Sequence, residues 1–256
     1  MELSIITVNK NNQLGLEKTI ESVVNQKFND FEYIIIDGAS SDDSAEIIKR
    51  YGGKISYWIT EEDTGIYNAM NKGIQVAKGR YCFFLNSGDY LFDENVLNSA
   101  INDLNDKDIV YGNVIVFDSK QKHSITYPKE ITFRDFYTKS IPHSGGSFIK
   151  RELFNKFGLY NESYKIVSDW EFFIKTIILG NVSTLHLELF LSNFDLEGVS
   201  TQNLQLMYEE RRKVMENLIP EKILHDYDKY LKNNEISDLS FSKLCFLLFK
   251  RVTTFK

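Results

Sequence analysis

The sequence predicts an α/β protein with a mostly parallel central sheet, flanked by helices and followed by a C-terminal helical extension. Strand and helix patterns alternate over residues 1–100, which is typical of parallel strands joined by right-handed crossovers. From Gln202 onward the sequence becomes helical and charged. We therefore expect a main domain at 1–200, divided into halves at 1–105 and 106–200, and an extension at 201–256.

The first half contains four strand patterns separated by helical ones. Its short apolar runs are typical of buried parallel strands, and its helices show apolar residues at helical spacing. In chain order we expect a strand at 3–8, a helix over 16–24, a strand at 33–36, a helix capped by 41–43 with Ala45, Ile48 and Tyr51 on its inner face, a strand at 55–59, a helix at 66–77 ended by Gly79, and a strand at 81–85.

The second half is less regular, since all three prolines of the chain lie after residue 127. A long strand is expected at 108–117, and a helix at 169–179 carries its apolar residues on one side. A weakly alternating pattern at 182–194 predicts a further strand. No internal repeat or low-complexity tract interrupts these patterns.

The composition is that of an ordinary globular protein, with 43% hydrophobic and 26% charged residues. The formal net charge of −6 gives no reason to expect nucleic-acid binding. The two cysteines and four histidines show neither a disulfide framework nor zinc spacing. Cys82 lies inside the apolar run 81–85, where a buried free thiol is expected.

The N-terminal strand pattern at 3–8 is too short for the apolar core of a signal peptide, and no basic residue precedes it. No run approaches the ~18 apolar residues of a membrane-spanning helix. We therefore expect the protein to be cytoplasmic.

Polar clusters follow three of the predicted strands, at 7–9, 37–42 and 86–89. In a parallel sheet the carboxyl ends of the strands share one edge, where ligands bind. The clusters can therefore converge on one ligand. Each cluster taken alone is equally compatible with an ordinary turn, because turns also use Asp, Asn, Gly and Ser.

The residue types in these clusters suit a nucleotide. Asp37 and Asp42 can accept hydrogen bonds from a base N–H or from ribose hydroxyls. Gly38 and Gly88 allow a ligand to approach the backbone closely. Asp89 can hold a divalent cation, which would neutralise a departing diphosphate.

Three common nucleotide or hydrolase motifs are missing from the chain. There is no G-x-G-x-x-G after the first strand and no G-x-x-x-x-G-K-[ST], which argues against a dinucleotide-binding Rossmann domain and a P-loop nucleotidase. There is no G-x-S-x-G either, which argues against an α/β-hydrolase.

The order of these strands, helices and polar clusters resembles that of family 2 glycosyltransferases, which have the GT-A fold and mostly invert the anomeric carbon. Four stretches carry the resemblance: 3–9, 32–42, 62–73 and 79–89. The third is similar to the family's D-x-G-I-x-x-A-M-N-K-G segment. The likeness is strongest before residue 90 and is greatest to the subgroup that builds bacterial exopolysaccharide and capsule repeat units.

The resemblance implies transfer of a sugar from a nucleotide sugar, expected to be a UDP-sugar, to the hydroxyl of a saccharide or lipid-linked saccharide. It makes 1–105 the nucleotide-binding half and 106–200 the acceptor half. Thr7, Asn9 and Asp37 match positions that line the base and ribose pocket, and Asp63 matches an acid near the base. Lys72 either meets the donor phosphates or lies on a solvated helix face.

The segment 86–89 stands where many relatives carry Asp-x-Asp-Asp, and here it reads Asn86-Ser87-Gly88-Asp89. This departure leaves Asp89 as the charged ligand of an expected Mn²⁺ or Mg²⁺ ion, with Asn86 and Ser87 beside the donor. One carboxylate with diphosphate oxygens and waters can still hold such a cation.

On the acceptor side, Ser168 and Asp169 open a run similar to the family's E-D-x-x-L/F motif, whose Asp is the catalytic base. A carboxylate there can take the proton of the attacking hydroxyl. Without the resemblance, Asp169 would read as a helix cap. His143 either binds a phosphate or the acceptor, or structures a loop, and 197–200 resembles a loop that closes over the diphosphate.

The segment 240–256 carries four basic side chains and no acidic one around an apolar run at 244–249. Such a helix can lie on the inner face of the cell membrane, or it can simply pack on the domain.

The sequence leaves three alternatives open. The enzyme could use a GDP- or dTDP-sugar as donor, the protein could be a non-catalytic relative that only binds nucleotide or sugar, or it could be a nucleotide-sugar pyrophosphorylase. The last requires a glycine-rich basic loop after the first strand, where residues 8–13 stand instead.

Overall fold

Strands and helices alternate in the computed structural model of the chain, which describes residues 1–196 and 203–233. The strands are β1 Leu3–Asn9, β2 Phe31–Asp37, β3 Tyr57–Thr60, β4 Tyr81–Phe84, β5 Tyr90–Leu91, β6 Ile109–Phe117, β7 Lys122–Ile125, β8 Ser147–Lys150 and β9 Thr184–Asp195. The helices are α1 Gln13–Val24, α2 Ser44–Arg50, α3 Ile66–Val76, α4 Val96–Ile101, α5 Phe133–Thr138, α6 Glu152–Phe157, α7 Ser168–Phe173, α8 Leu204–Leu218 and α9 Glu221–Asn233. Short 3₁₀ and π segments lie at Gly52–Lys54 and Ile174–Leu179.

The first four strands form the parallel block that the sequence predicts. They lie in the order β3-β2-β1-β4, with every pairing parallel. All seven residues of β1 are buried, as expected for a central strand covered on both faces. The register places Asn9 opposite Asp37, so the polar ends of β1 and β2 lie side by side.

The rest of the sheet is mixed, which refines the prediction of a mostly parallel sheet. β8 runs antiparallel to both β4 and β6, whereas β6 and β9 are parallel. The connection from β7 to β8 contains the short helix α5 and the irregular segment 139–146, which includes Pro142. The α/β class with a C-terminal helical extension is confirmed.

Two apolar layers cover the two faces of the sheet. One contains side chains of α1, α2 and α4, for example Leu16, Ile48 and Leu97. The other contains side chains of α3 and α5 to α8, for example Met70 and Trp170. The sheet edge between these layers is where the polar strand ends emerge.

Gly79 does not end α3, contrary to the sequence prediction. The helix ends at Val76, and Gly79 lies against β1, where a Cβ atom would come within 2.5 Å of the Leu3 carbonyl carbon. Glycine is therefore required for close packing of two backbones. On α2 the predicted Ile48 is buried together with Ile47. The predicted Tyr51, just after the helix, is partly buried and packs against the same apolar layer, whereas Ala45 is only partly buried.

Cys82 is the buried free thiol that the apolar run predicts. Burial raises its pKa to about 12, so the group stays protonated and unreactive. The predicted membrane segment 240–256 and the loop 197–200 lie outside the described residues. None of the helices within 1–196 and 203–233 combines the length and apolar character needed to span a bilayer.

Candidate active site

The three polar clusters meet at one edge of the sheet, as the parallel topology requires. Asn9 at the end of β1 donates from Nδ2 to Asp37 Oδ1 at the end of β2, over 2.7 Å. On the other side, the Ser87 amide donates to the Val8 carbonyl at 3.1 Å. A single ligand can therefore contact all three strand ends.

Asp37 is completely buried and organises the turn that follows β2. Its carboxylate accepts from the Ser40 amide at 3.0 Å and the Ser40 hydroxyl at 2.5 Å, in addition to Asn9. Asn9 Oδ1 is buried without a hydrogen-bond partner in the described part of the chain. A buried unpaired acceptor is costly, so this oxygen is suited to a ligand N–H.

Asp63 packs directly against this turn. A Cβ atom on Gly38 would come within 2.1 Å of Asp63 Oδ2, so glycine at 38 is what lets the carboxylate approach. Asp63 accepts from the Gly65 amide at 3.0 Å, and Lys10 Nζ lies 3.9 Å from its Oδ1. The structure thus brings Asp63 together with Asn9 and Asp37.

Three other predicted residues lie near this edge but use their polar groups within the protein. Thr7 Oγ1 donates to the Leu85 carbonyl at 2.8 Å. Asp42 accepts from the Gln13 and Ser44 amides, at 2.9 and 3.1 Å, at the starts of α1 and α2. Lys72 Nζ pairs with Glu61 at 2.7 Å. Their contribution to a ligand site would require these contacts to change.

Asp89 is 4% exposed and is held by the second half of the chain. Ser144 Oγ donates to its Oδ2 at 2.5 Å, and the Asp195 amide donates to its Oδ1 at 2.9 Å. Burial raises the pKa of Asp89 to about 7, although both hydrogen bonds act in the opposite direction. Ser144 also accepts from the Asn86 amide at 3.0 Å, and Asn86 Oδ1 is buried without a partner among the described residues.

The oxygen donors around Asp89 fit a cation held mainly by substrate. Within 1–196 and 203–233 no cluster of three or more His, Cys, Asp or Glu side chains could hold a metal. A second carboxylate lies nearby, since Asp195 Oδ2 would be 3.2 Å from a Cβ atom on Gly88 and the Asp195 charge contributes to the raised pKa of Asp89. Asn86 Oδ1 adds an acceptor that has no partner among the described residues. Mg²⁺-type ions take one or two carboxylates together with substrate phosphates and waters.

Asp169 lies at the start of α7 with its side chain 27% exposed. Tyr67 of α3 donates its hydroxyl to Asp169 Oδ1 at 2.7 Å. His143 Nδ1 lies 3.9 Å from Asp169 Oδ2, and His143 Nε2 contacts the Tyr160 hydroxyl at 2.7 Å. Burial lowers the pKa of His143, and the Asp169 charge opposes this. A partly accessible carboxylate with one oxygen held in place can act as a general base.

Residues 4–158 match the sequence profile of glycosyl transferase family 2. The chain belongs to this family. A PGL/p-HBAD biosynthesis glycosyltransferase of Mycobacterium bovis is 26% identical over 201 residues, which cover 76% of this chain and 77% of that protein. An uncharacterized glycosyltransferase of Mycobacterium tuberculosis is 30% identical over 209 residues, which cover 78% and 77%.

Similarity to solved structures identifies the fold of this family 2 glycosyltransferase. The S. aureus TarS 1–349 structure matches with a TM-score of 0.67 at 19% identity, over 84% of this chain and 64% of TarS 1–349. The mannosyltransferase PcManGT of Pyrobaculum calidifontis, solved with GDP-Man and Mn²⁺, matches with a TM-score of 0.62 at 13% identity, over 100% of this chain and 81% of PcManGT. The fold is GT-A, as the resemblance implied.

The sequence prediction missed four residues that contact the candidate site of this glycosyltransferase: Tyr67, Ser144, Tyr160 and Asp195. Tyr67 lies inside the stretch 62–73, and Ser144 directly follows His143. Their position within or beside the predicted motifs is therefore a signal for these two residues. Tyr160 and Asp195 lie outside every quoted motif, and only the packing of the two halves identifies them.

Proposed function

We propose that this glycosyltransferase transfers the sugar of a UDP-sugar, with inversion, onto a hydroxyl of a saccharide or lipid-linked saccharide during bacterial surface polysaccharide synthesis. The observation that carries the proposal is Asp169, a partly exposed carboxylate that receives a hydrogen bond from Tyr67 of the donor half. A protein that only binds nucleotide or sugar has no need of such a positioned base.

In the proposed reaction the acceptor hydroxyl gives its proton to Asp169 as its oxygen bonds to the anomeric carbon. The bond between that carbon and the diphosphate breaks at the same time, and the diphosphate takes the bonding electron pair. Attack from the face opposite the leaving group inverts the anomeric configuration. Asp169 retains the proton until solvent removes it.

Asn9, Asp37 and Asp63 form the proposed base and ribose pocket. The support is the unpaired Asn9 Oδ1 beside the buried Asp37, with Asp63 packed on Gly38. TarS has been solved with UDP and with UDP-GlcNAc, which favours a UDP-sugar. PcManGT was solved with GDP-Man, so GDP-sugars belong in any test.

Asp89, Asp195 and Asn86 Oδ1 would hold the proposed Mn²⁺ or Mg²⁺ ion, which would neutralise charge on the leaving diphosphate. Ser87 lies on the same segment, and its backbone carbonyl receives a hydrogen bond from Asn12 at 3.0 Å. His143 is proposed to line the acceptor side, because its Nδ1 faces Asp169.

Contact with the inner face of the cytoplasmic membrane through 240–256 remains a proposal that rests on the basic and apolar character of that segment. It would bring the enzyme to a lipid-linked acceptor. Deleting 240–256 and measuring binding to anionic vesicles tests the proposal, and unchanged binding would rule it out.

The donor proposal is tested by thermal shift with UDP, GDP, dTDP and their sugars, each with and without Mn²⁺. A ligand at 100 times its Kd adds about 2.7 kcal/mol of stability. Asp169→Asn should retain this shift and lose turnover by ~100-fold or more. Full turnover in Asp169→Asn would remove the base assignment, and no shift with any nucleotide would remove the donor site.

A further inference from the structure

We propose that Tyr67 is a positioning residue that fixes the Asp169 carboxylate and leaves Oδ2 as the oxygen that accepts the proton. This inference rests on the proposed role of Asp169 as the base. It adds a residue from the donor half to the acceptor-side machinery and distinguishes the two oxygens of the base.

The geometry of the pair supports a fixed orientation. The Tyr67 hydroxyl is 2.7 Å from Asp169 Oδ1, across 102 residues of sequence. Tyr67 is 5% exposed, and its ring packs against the Tyr160 ring with 5.7 Å between the ring centres. A buried ring cannot follow a rotating carboxylate, so the hydrogen bond restricts the side-chain torsions of Asp169.

The direction of this hydrogen bond is also determined. Burial raises the pKa of Tyr67 far above its usual value, and the charge of Asp169 acts in the same direction. The hydroxyl therefore stays protonated throughout the working range of an enzyme. It can only donate to the carboxylate, and it cannot compete as a base.

The other carboxylate oxygen of Asp169, Oδ2, has different surroundings from Oδ1. Asp169 Oδ2 lies 3.9 Å from His143 Nδ1, which is longer than a hydrogen bond. His143 is held away by the Tyr160 hydroxyl at 2.7 Å and by stacking on Phe84 at 4.8 Å between ring centres. Among the described residues no hydrogen bond reaches Oδ2, so this oxygen is available to an acceptor hydroxyl.

The test compares Tyr67→Phe with Tyr81→Phe. Both substitutions remove one hydroxyl from a buried ring, but the Tyr81 hydroxyl donates to the Lys107 carbonyl, beyond the opposite edge of the sheet. Turnover is measured as release of nucleoside diphosphate from the UDP-, GDP- or dTDP-sugar that the wild-type enzyme uses fastest. The wild-type rate sets the reference for each variant.

We expect Tyr67→Phe to lower kcat on the order of 10- to 100-fold, because small misplacements of a catalytic group have effects of this size. The donor KM should stay within about twofold, and Tyr81→Phe should behave as wild type. Wild-type kcat in Tyr67→Phe, or a raised donor KM with unchanged kcat, would overturn the inference.

A double variant separates positioning from a general structural effect. Once Asp169→Asn has removed the base, adding Tyr67→Phe should cause no further loss of turnover, because the two residues act as a unit. A further loss of about the size seen in the single variant would overturn the inference. Full activity of Asp169→Asn alone would instead refute the proposed function.

If Tyr67→Phe does not fold, replacing Tyr67 with 3-fluorotyrosine tests whether the hydrogen bond from Tyr67 to Asp169 affects turnover. This residue retains the ring and hydroxyl but makes the hydroxyl a stronger donor, so Asp169 becomes a weaker base. We expect kcat to fall by about twofold or more, with no change when the same replacement is made at Tyr81. Equal rates at both positions would contradict the positioning role.

Discussion

Asp89 is a buried acid whose partners come from distant parts of the chain. Its hydrogen bonds to Ser144 and to the Asp195 amide stabilise the charged form, yet desolvation dominates and raises its pKa to about 7. The group is therefore close to half protonated in metal-free protein at neutral pH. Its charge state is coupled to folding, because the unfolded chain has the usual Asp pKa of ~3.9.

This coupling predicts a pH-dependent stability difference between the wild type and Asp89→Asn. The protonated form of Asp89 is favoured by folding, so its contribution is complete below pH ~4 and is lost as the pH rises through about 7. In chelator, the stability advantage of Asp89→Asn should therefore grow over this range, by on the order of 4 kcal/mol at most. Denaturant unfolding at several pH values measures it, with the exposed Asp103→Asn as control. A constant difference would contradict the prediction.

Gly38 is a second residue whose role depends on one close contact. In Gly38→Ala the new methyl would collide with Asp63 Oδ2, 2.1 Å away, and the carboxylate would be pushed from the proposed base pocket. We expect a loss of roughly 1–3 kcal/mol in the free energy of unfolding and loss of the nucleotide-dependent thermal shift.

Gly53→Ala is the matched control, because nothing lies within 4 Å of its Cβ position. Retained nucleotide binding in Gly38→Ala would mean that Asp63 does not contribute to the pocket.

At the scale of elements, α8 supports the loop that carries the proposed base. Glu210 is 4% exposed and accepts from the backbone amides of Lys165 and Ile166, at 2.7 and 2.9 Å. The next residue, Arg211, lies over the Trp170 ring with 4.8 Å between the guanidinium and ring centres. The C-terminal extension thus contacts the chain both before and after Asp169 in the sequence.

Removing this support should affect both stability and turnover. Glu210→Ala leaves two amides without their acceptor, which we expect to cost roughly 1–3 kcal/mol in unfolding free energy and to lower kcat by loosening residues 165–169. Glu209→Ala serves as control, since Glu209 is exposed and, among the described residues, its side chain bonds to Gln205 alone. An unchanged kcat in Glu210→Ala would show that the loop is held by other contacts.

At the scale of the whole molecule, the boundary predicted at residue 200 does not separate two cores. Met207, Val214, Met215 and Ile219 are buried in the same apolar layer as α3 and α7. Four such side chains contribute roughly 6–12 kcal/mol on burial, which is comparable to the total stability of a domain.

A chain truncated after residue 203 is therefore expected to lose cooperative folding. Thermal unfolding followed by near-UV circular dichroism checks this. A cooperative transition close to that of the full chain would establish 1–200 as an independent domain. Either result decides whether the extension is an appendage or part of the fold.

The sheet edge proposed to bind the nucleotide could be located from the sequence because its determinants are local. Each parallel strand in the first half is a short apolar run followed at once by its polar cluster, and parallel strands bring their carboxyl ends to one edge. The convergence of Asn9 with Asp37 follows from that rule and from their position in register. The buried thiol of Cys82 followed from the apolar run alone.

The sequence by itself therefore determined the α/β class, the family and the edge at which the candidate site lies, since these depend on periodicity and on contiguous motifs. Only the tertiary structure decided which side chains complete the site. Tyr67 reaches Asp169, and Ser144 reaches Asp89, over separations of 102 and 55 residues. Such contacts depend on how β8 and α7 pack against the first half, and no local pattern encodes that geometry.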